Sequence, residues 1–170
     1  LNGFSLHEII CDEQDRPTDY RFLAVNPVFE RLTGLKGADI IGKTVLQVMP
    51  GTEPLWIETY GRVALTGEPA FFESYARELD KYFEVTAFQP AARQFACIFA
   101  DITERKKTEA ALRQSESMYR GLFDLAVDGI MIGSHEGVMI DANQRMCEIL
   151  GMARDEFLGR HITTLPFTRE

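Results

Sequence analysis

The residues of this 170-residue chain best suited to chemistry are three histidines, His7, His135 and His161, and three cysteines, Cys11, Cys97 and Cys147. Their spacing sets most chemistry aside. The cysteines are far apart and odd in number, with no Cys-x-x-Cys and no Cys/His cluster, so neither a zinc site nor a disulfide framework is expected. The histidines follow no pattern that pairs a nucleophile with its base. There is no Gly-x-Ser-x-Gly and no glycine loop fit to cradle a phosphate. The expectation is a chain without catalytic residues and without a metal site. Cys97 then reads as a small buried hydrophobe, and His7 as an exposed or internally satisfied strand histidine.

Binding by apolar side chains is the chemistry that remains. Phe83, Val85 and Ala87 alternate along one predicted strand, and Phe95, Cys97 and Phe99 along another, so each set shares a sheet face. Trp56, Tyr60, Val63 and Ala64 share one face of a predicted helix. With Ile41, Val45, Val48 and Met49 from the connecting segments, these residues form a box that either packs solid or encloses a small molecule. Polar residues within reach are Tyr60, Arg62, Tyr75, Arg77 and Thr86. Arg62 and Arg77 have the donor geometry to clamp a carboxylate. The favoured expectation for them is plainer: Arg62 paired with Glu58 on the helix surface, and Arg77 at the sheet edge.

Composition narrows the partners. A net charge of −8, with a single short basic cluster at Arg105-Lys106-Lys107, argues against nucleic acid. A hydrophobic content of 45% with 11% aromatic residues is enough to build a real core. No apolar run reaches the length of a membrane span and no signal-peptide pattern is visible, so membrane contact is not indicated and the cytoplasm is the expected compartment. The chain does not begin with Met and stops mid-pattern, so both ends read as cuts.

The elements that must position these residues follow from turn and cap chemistry. Phe4 to Cys11 and Tyr20 to Val25 read as a hairpin across the polar turn Asp12 to Pro17. Asn26 caps a short helix with Pro27 in its first turn and Gly34 as its stop. A second helical turn runs from Gly37 to Ile41. Thr52 is expected to cap a longer helix to Thr66, with Gly67 just past its end. Three strands follow, Phe71 to Arg77, Tyr82 to Phe88 and Phe95 to Ala100. The last leads straight into Asp101 to Phe123, which has no Pro, no Gly before Gly121, and many strong helix formers. Asp101 with Glu104 fits a capping start, and Asp101–Arg105, Glu109–Arg113 and Glu116–Arg120 are supportive i,i+4 pairs. Its apolar residues form two thin seams, Ala111, Met118, Leu122, Leu125 and Leu112, Tyr119, Ala126. That predicts an exposed helix touching a partner along one stripe.

The chain also repeats itself. Asn26, Gly34 and Gly42 are evenly spaced, and Asn143, Gly151 and Gly159 recur at the same two intervals. Apolar positions agree between them: Phe29 with Met146, Leu32 with Ile149, Leu35 with Met152. Leu1-Asn2-Gly3-Phe4 is similar to Val127-Asp128-Gly129-Ile130. A repeat this long is a tandem pair of domains rather than a solenoid. The expected organisation is a first domain at 1–103, a linker helix at 104–126, and the N-terminal half of a second copy at 127–170.

These features together resemble the PAS family of sensory domains. The most specific is Asp101-Ile102-Thr103-Glu104-Arg105-Lys106, similar to the junction where the PAS sheet hands over to a signalling helix. Tyr20-Arg21-Phe22-Leu23 and Val25-Asn26-Pro27-Val28-Phe29-Glu30 resemble the family's entry into its first helix. Ser117-Met118-Tyr119-Arg120-Gly121-Leu122-Phe123 resembles the lead-in of a following copy. The resemblance implies an α+β fold, a five-stranded antiparallel sheet with short helices on one face.

It also implies a sensor, with Ile41, Val45, Val48, Trp56, Tyr60, Val63, Phe83, Val85, Phe95, Cys97 and Phe99 lining a small-molecule pocket. Asp101 and Thr103 become the joint that passes signal onward. A flavin adduct in this family needs a Cys on a helix beside the ring, and no Cys falls between Cys11 and Cys97. A haem needs a His on the long helix, and Thr52 to Gly67 has none. Both cofactors are therefore disfavoured, and Trp56 as a hint of a redox flavin is better read as core; the ligand is left unspecified. The expected output is a histidine kinase in a phosphorelay. A diguanylate cyclase or phosphodiesterase, or a ligand-free dimerisation spacer, are the alternatives. The expected partner is a second copy, joined through the outer sheet face of Tyr82, Phe88, Ala96, Ile98 and Ala100 and through the linker.

Overall fold

The computed structural model describes residues 2–165; Leu1 and residues 166–170, which the expected domain bounds include, lie outside the described residues. The chain forms two units, Leu1–Lys107 and Thr108–Glu170. In the first, β1 (Gly3–Cys11) and β2 (Pro17–Val25) precede four helices: α1 (Pro27–Thr33), α2 (Gly37–Ile40), α3 (Val45–Val48) and α4 (Pro54–Thr66). Then come β3 (Ala70–Ala76), β4 (Lys81–Phe88) and β5 (Gln94–Asp101), and α5 (Thr103–Leu125) leaves the sheet. The five strands are antiparallel neighbours in the order β2-β1-β5-β4-β3. This is the expected α+β architecture.

Alternation along the strands decides what the sheet buries. Ser5, His7 and Ile9 on β1, Tyr20 and Phe22 on β2, Phe83, Val85 and Ala87 on β4, and Phe95, Cys97 and Phe99 on β5 are all buried. The helices close over them with Phe29, Ile40, Val45, Trp56, Ile57, Tyr60, Val63 and Ala64. Gly61 lets α4 approach this closely: a Cβ there would stand 2.1 Å from Pro17 Cγ.

Three local expectations change. Thr52 does not cap α4; its hydroxyl donates instead to the Met49 carbonyl at 2.8 Å, and Glu53 takes the cap position with no side-chain bond to the helix. The two strands of the hairpin pair from Cys11↔Pro17 onward, so β2 begins before Tyr20. Between Gly42 and Thr52 the extra helix α3 starts, where Gln47 Oε1 accepts the Thr44 N–H at 3.0 Å.

The second unit holds β6 (Met131–Gly133), β7 (Met139–Ala142), α6 (Gln144–Leu150) and α7 (Arg154–Phe157). The repeat holds at the level of single bonds. Asn26 Oδ1 accepts the N–H groups of Phe4 and Phe29 at 3.0 and 2.7 Å, and Asn143 Oδ1 accepts those of Ile130 and Met146 at 2.8 and 2.9 Å. One amide thus caps a helix and ties it to β1 in the first unit and to the residue just before β6 in the second. Gly42 N–H donates to Phe22 as Gly159 N–H does to Met139. Gly42 and Gly159 both stand at positive φ, which other residues rarely adopt.

Among the described residues, no helix is long and apolar enough to cross a membrane, and no cluster of His, Cys, Asp or Glu could hold a metal ion.

Candidate functional site

The first unit holds a partly open cavity of about 80 Å³ between the sheet and the helices. Trp56 and Tyr60 from α4, Phe83 and Val85 from β4, and Cys97 and Phe99 from β5 line it. Five of the expected lining residues do not. Val45, Val63 and Phe95 are fully buried core, and Val48 packs against that core. Ile41 is 51% exposed, because α2 ends one residue earlier and it is Ile40 that turns inward. Arg62 and Thr86 lie on outward positions, Tyr75 donates to Asp80, and Arg77 pairs with Glu53 at the surface. None of these four reaches the cavity.

Sequence reasoning missed the β1–β2 wall: Ser5, His7, Tyr20 and Phe22. His7 is the main omission. Expected to be exposed or satisfied, it is only 3% exposed, and its Nδ1 has no hydrogen-bond partner. Its ring stacks on Phe95 at 4.6 Å, and Phe95 stacks in turn on Tyr60 at 4.6 Å. Tyr20 and Phe22 meet the His7 ring edge-on at 4.9 Å each. Burial in this aromatic cage lowers the His7 pKa to about 3, so the imidazole is neutral near pH 7. Desolvation likewise raises Cys97 to about 12, and holds both Tyr20 and Tyr60 in the phenol form.

Lower on the same strand is the joint. Asp101 Oδ1 accepts the Thr103 N–H at 2.9 Å, capping the first turn of α5. Ile102 N–H donates to the Tyr82 carbonyl at 2.9 Å, while Tyr82 N–H donates to Thr103 Oγ1 at 3.0 Å. The other Asp101 oxygen holds Lys81 at 3.3 Å, and the Lys81 ammonium also donates to the Leu32 carbonyl in the last turn of α1. Burial pulls the Asp101 pKa up, but bonds from Thr103 and Lys81 outweigh it and the carboxyl titrates below its ordinary value. Arg105 turns to Glu73 and Glu84 at 2.5 and 3.5 Å, and Lys106 to Glu73 at 2.5 Å.

The arrangement defines an α+β domain built around a cavity, with a helix as its exit. Residues 17–107 match the family model described as PAS fold, and residues 127–170 match one described as PAS domain. The chain belongs to the PAS family of sensory domains. Sporulation kinase E of Bacillus subtilis (strain 168) is 34% identical over 85 residues, which are 49% of this chain and 12% of that protein. Among solved structures, an RNA-binding Light-Oxygen-Voltage receptor is 20% identical with a TM-score of 0.46, over 68% of this chain and 34% of that one. A domain of an HTR-like protein from Haloarcula marismortui ATCC 43049 is 13% identical with a TM-score of 0.41, over 60% and 98%.

Proposed function

We propose that the chain is the sensory region of a longer signalling protein, by preference a sensor histidine kinase. In it the first unit reads a small molecule and passes the result along α5 to an output domain. Continuity carries this reading. β5 lines the cavity with Cys97 and Phe99, and only Ile102 separates its last residue, Asp101, from the start of α5. No flexible loop lies between them to absorb a shift of β5, so the first helical turn moves with the strand. The 34% identity to Sporulation kinase E supports the kinase preference. Residues 1–103 act as the sensor and 104–126 as the linker, with 127–170 in a second copy. Haem and an adduct-forming flavin have no place in this reading: α4 carries no His, and the cavity is far below the ~300 Å³ of pockets for larger ligands.

The working form is a dimer. Tyr82, Phe88 and Ile98 stand partly exposed on the outer sheet face, joined by Phe71 at 70%, while Ala96 is covered by its neighbours. On α5, Leu112, Met118, Leu122 and Leu125 are all exposed. Two apolar surfaces of this kind suit a second chain. Sedimentation of the full-length protein should show the dimer, and a strict monomer at high concentration contradicts it.

Inserting two residues near Ser115 rotates everything downstream by about 200° on the helix. The full-length protein should then lose or invert its output regulation. Unchanged regulation overturns the relay.

A further inference from the structure

The cavity wall narrows what can occupy it. Most of the lining is apolar or aromatic, with Phe22, Phe29, Trp56, Phe83 and Phe99 among it, and it contains no Lys or Arg. Thr33 and Thr52 line it too, but their hydroxyls are spent on the Phe29 and Met49 carbonyls. The Tyr60 hydroxyl lies near the Cys97 thiol on the α4 side of the cavity, away from the β1 wall. Two carboxylates, Glu53 and Glu78, stand at its edge and already accept the Arg77 and Gly51 N–H groups. What is left for a ligand is His7, a neutral ring with an unpartnered nitrogen, with the Tyr20 hydroxyl of the ring packed against it and Ser5 two residues along the same buried face of β1.

We propose that this cavity takes a small, uncharged, largely apolar molecule that carries one hydrogen-bonding group, recognised on the β1 wall by His7. The inference rests on the sensor reading and names its ligand class. An anion would meet no cation and two carboxylates. A cation would lose its hydration in an aromatic interior without a counter-charge beside it. A purely apolar molecule would leave His7 unsatisfied, which a buried polar group tolerates poorly. Size adds a bound: a dry cavity of about 150 Å³ accommodates benzene, so about 80 Å³ suits something smaller.

The test uses this chain with ¹⁵N-labelled histidine, at neutral pH, and probes of similar size but different charge: propan-1-ol, propionate and propylammonium, with xenon as the apolar control. His135 and His161 lie in the second unit and serve as internal references. Propan-1-ol should shift the His7 ring signals saturably and leave the other two unmoved, with both ions at least tenfold weaker. An ion binding as well as the alcohol overturns the uncharged class. Xenon entering while the alcohol leaves His7 unmoved overturns the role of His7. If no probe enters, the ligand proposal fails, and the relay stands or falls separately on the insertion near Ser115.

Discussion

The hydroxyl of Thr103 accepts the backbone N–H of Tyr82 at 3.0 Å, so the first residue of α5 completes the hydrogen bonding of β4. Helix and sheet share that bond. The neighbouring Ile102 N–H returns to the Tyr82 carbonyl, so both polar groups of one strand residue are bound to the start of the helix. A shift of β4 should thus carry the first turn of α5 with it.

Asp101→Ala removes the cap on Thr103 and the partner of Lys81. The expected loss is about 0.5–2 kcal/mol of stability, typical of a lost N-cap. That is small against folding but comparable with the coupling that sets a switch. The variant should stay folded and, in the full-length protein, shift the balance of output states. Melting temperature and output measured on the same variant decide it. A lowered melting temperature with wild-type regulation would make Asp101 a cap and nothing more.

His7 gives the first unit an acid limb. Its folded pKa of about 3 lies below the ordinary histidine value of 6.5, so between those values the unfolded chain binds the extra proton. Stability is then full above about 6.5 and falls as pH drops towards 3, with a slope of up to about 1.4 kcal/mol per pH unit from this group alone. The groups around it, Tyr20, Tyr60 and Cys97, stay neutral throughout. Asp101, whose pKa is also lowered, adds its loss only below the ordinary carboxylate range. Denaturant titrations from pH 7 to 4 should show the slope in the wild type and not in His7→Phe. A flat wild-type profile contradicts it.

Two glycines on helices should respond to alanine with opposite signs. At Gly61 the new Cβ would lie 2.1 Å from Pro17 Cγ and 2.4 Å from its Cβ, and a ring in a paired strand yields little. Overpacking of this kind costs about 1–3 kcal/mol, more than helix propensity returns. At Gly121 nothing lies within 4 Å, so alanine should stabilise α5 by about 0.5–1 kcal/mol. Thermal melts of both variants check the signs.

Elements governed by local chemistry were legible in the sequence. Asn26 before Pro27, with Gly34 beyond, specifies α1 at both ends, and the same signals place α6. The cavity was legible on one side only. β4 and β5 alternate cleanly between apolar and polar residues or sit beside a clear partner, so Phe83, Val85, Cys97 and Phe99 could be assigned to the inner face. β1 misleads, because Phe4, Leu6 and Ile10 are the more apolar set and yet face outward, while Ser5 and His7 face in. A sheet that is apolar on both faces hides its inner side from pattern reading. Ile41 failed for a different reason: next to a helix end, a one-residue difference in phase exchanges a buried isoleucine for an exposed one.

The clasp of Arg105 and Lys106 on Glu73 sits at the water-exposed margin of the sheet, with these side chains a third to a half exposed. Hydrogen bonds from Lys106, then the nearby Arg105, keep the Glu73 carboxyl charged below its ordinary range. Attraction between such groups weakens as dissolved ions gather around them. The grip on the first turn of α5 is consequently adjustable by the surrounding electrolyte, whereas the aromatic stack behind the cavity is indifferent to it. Added salt should thereby loosen the hold on the first turn of α5, an effect that an uncharged osmolyte at the same osmolarity should not reproduce.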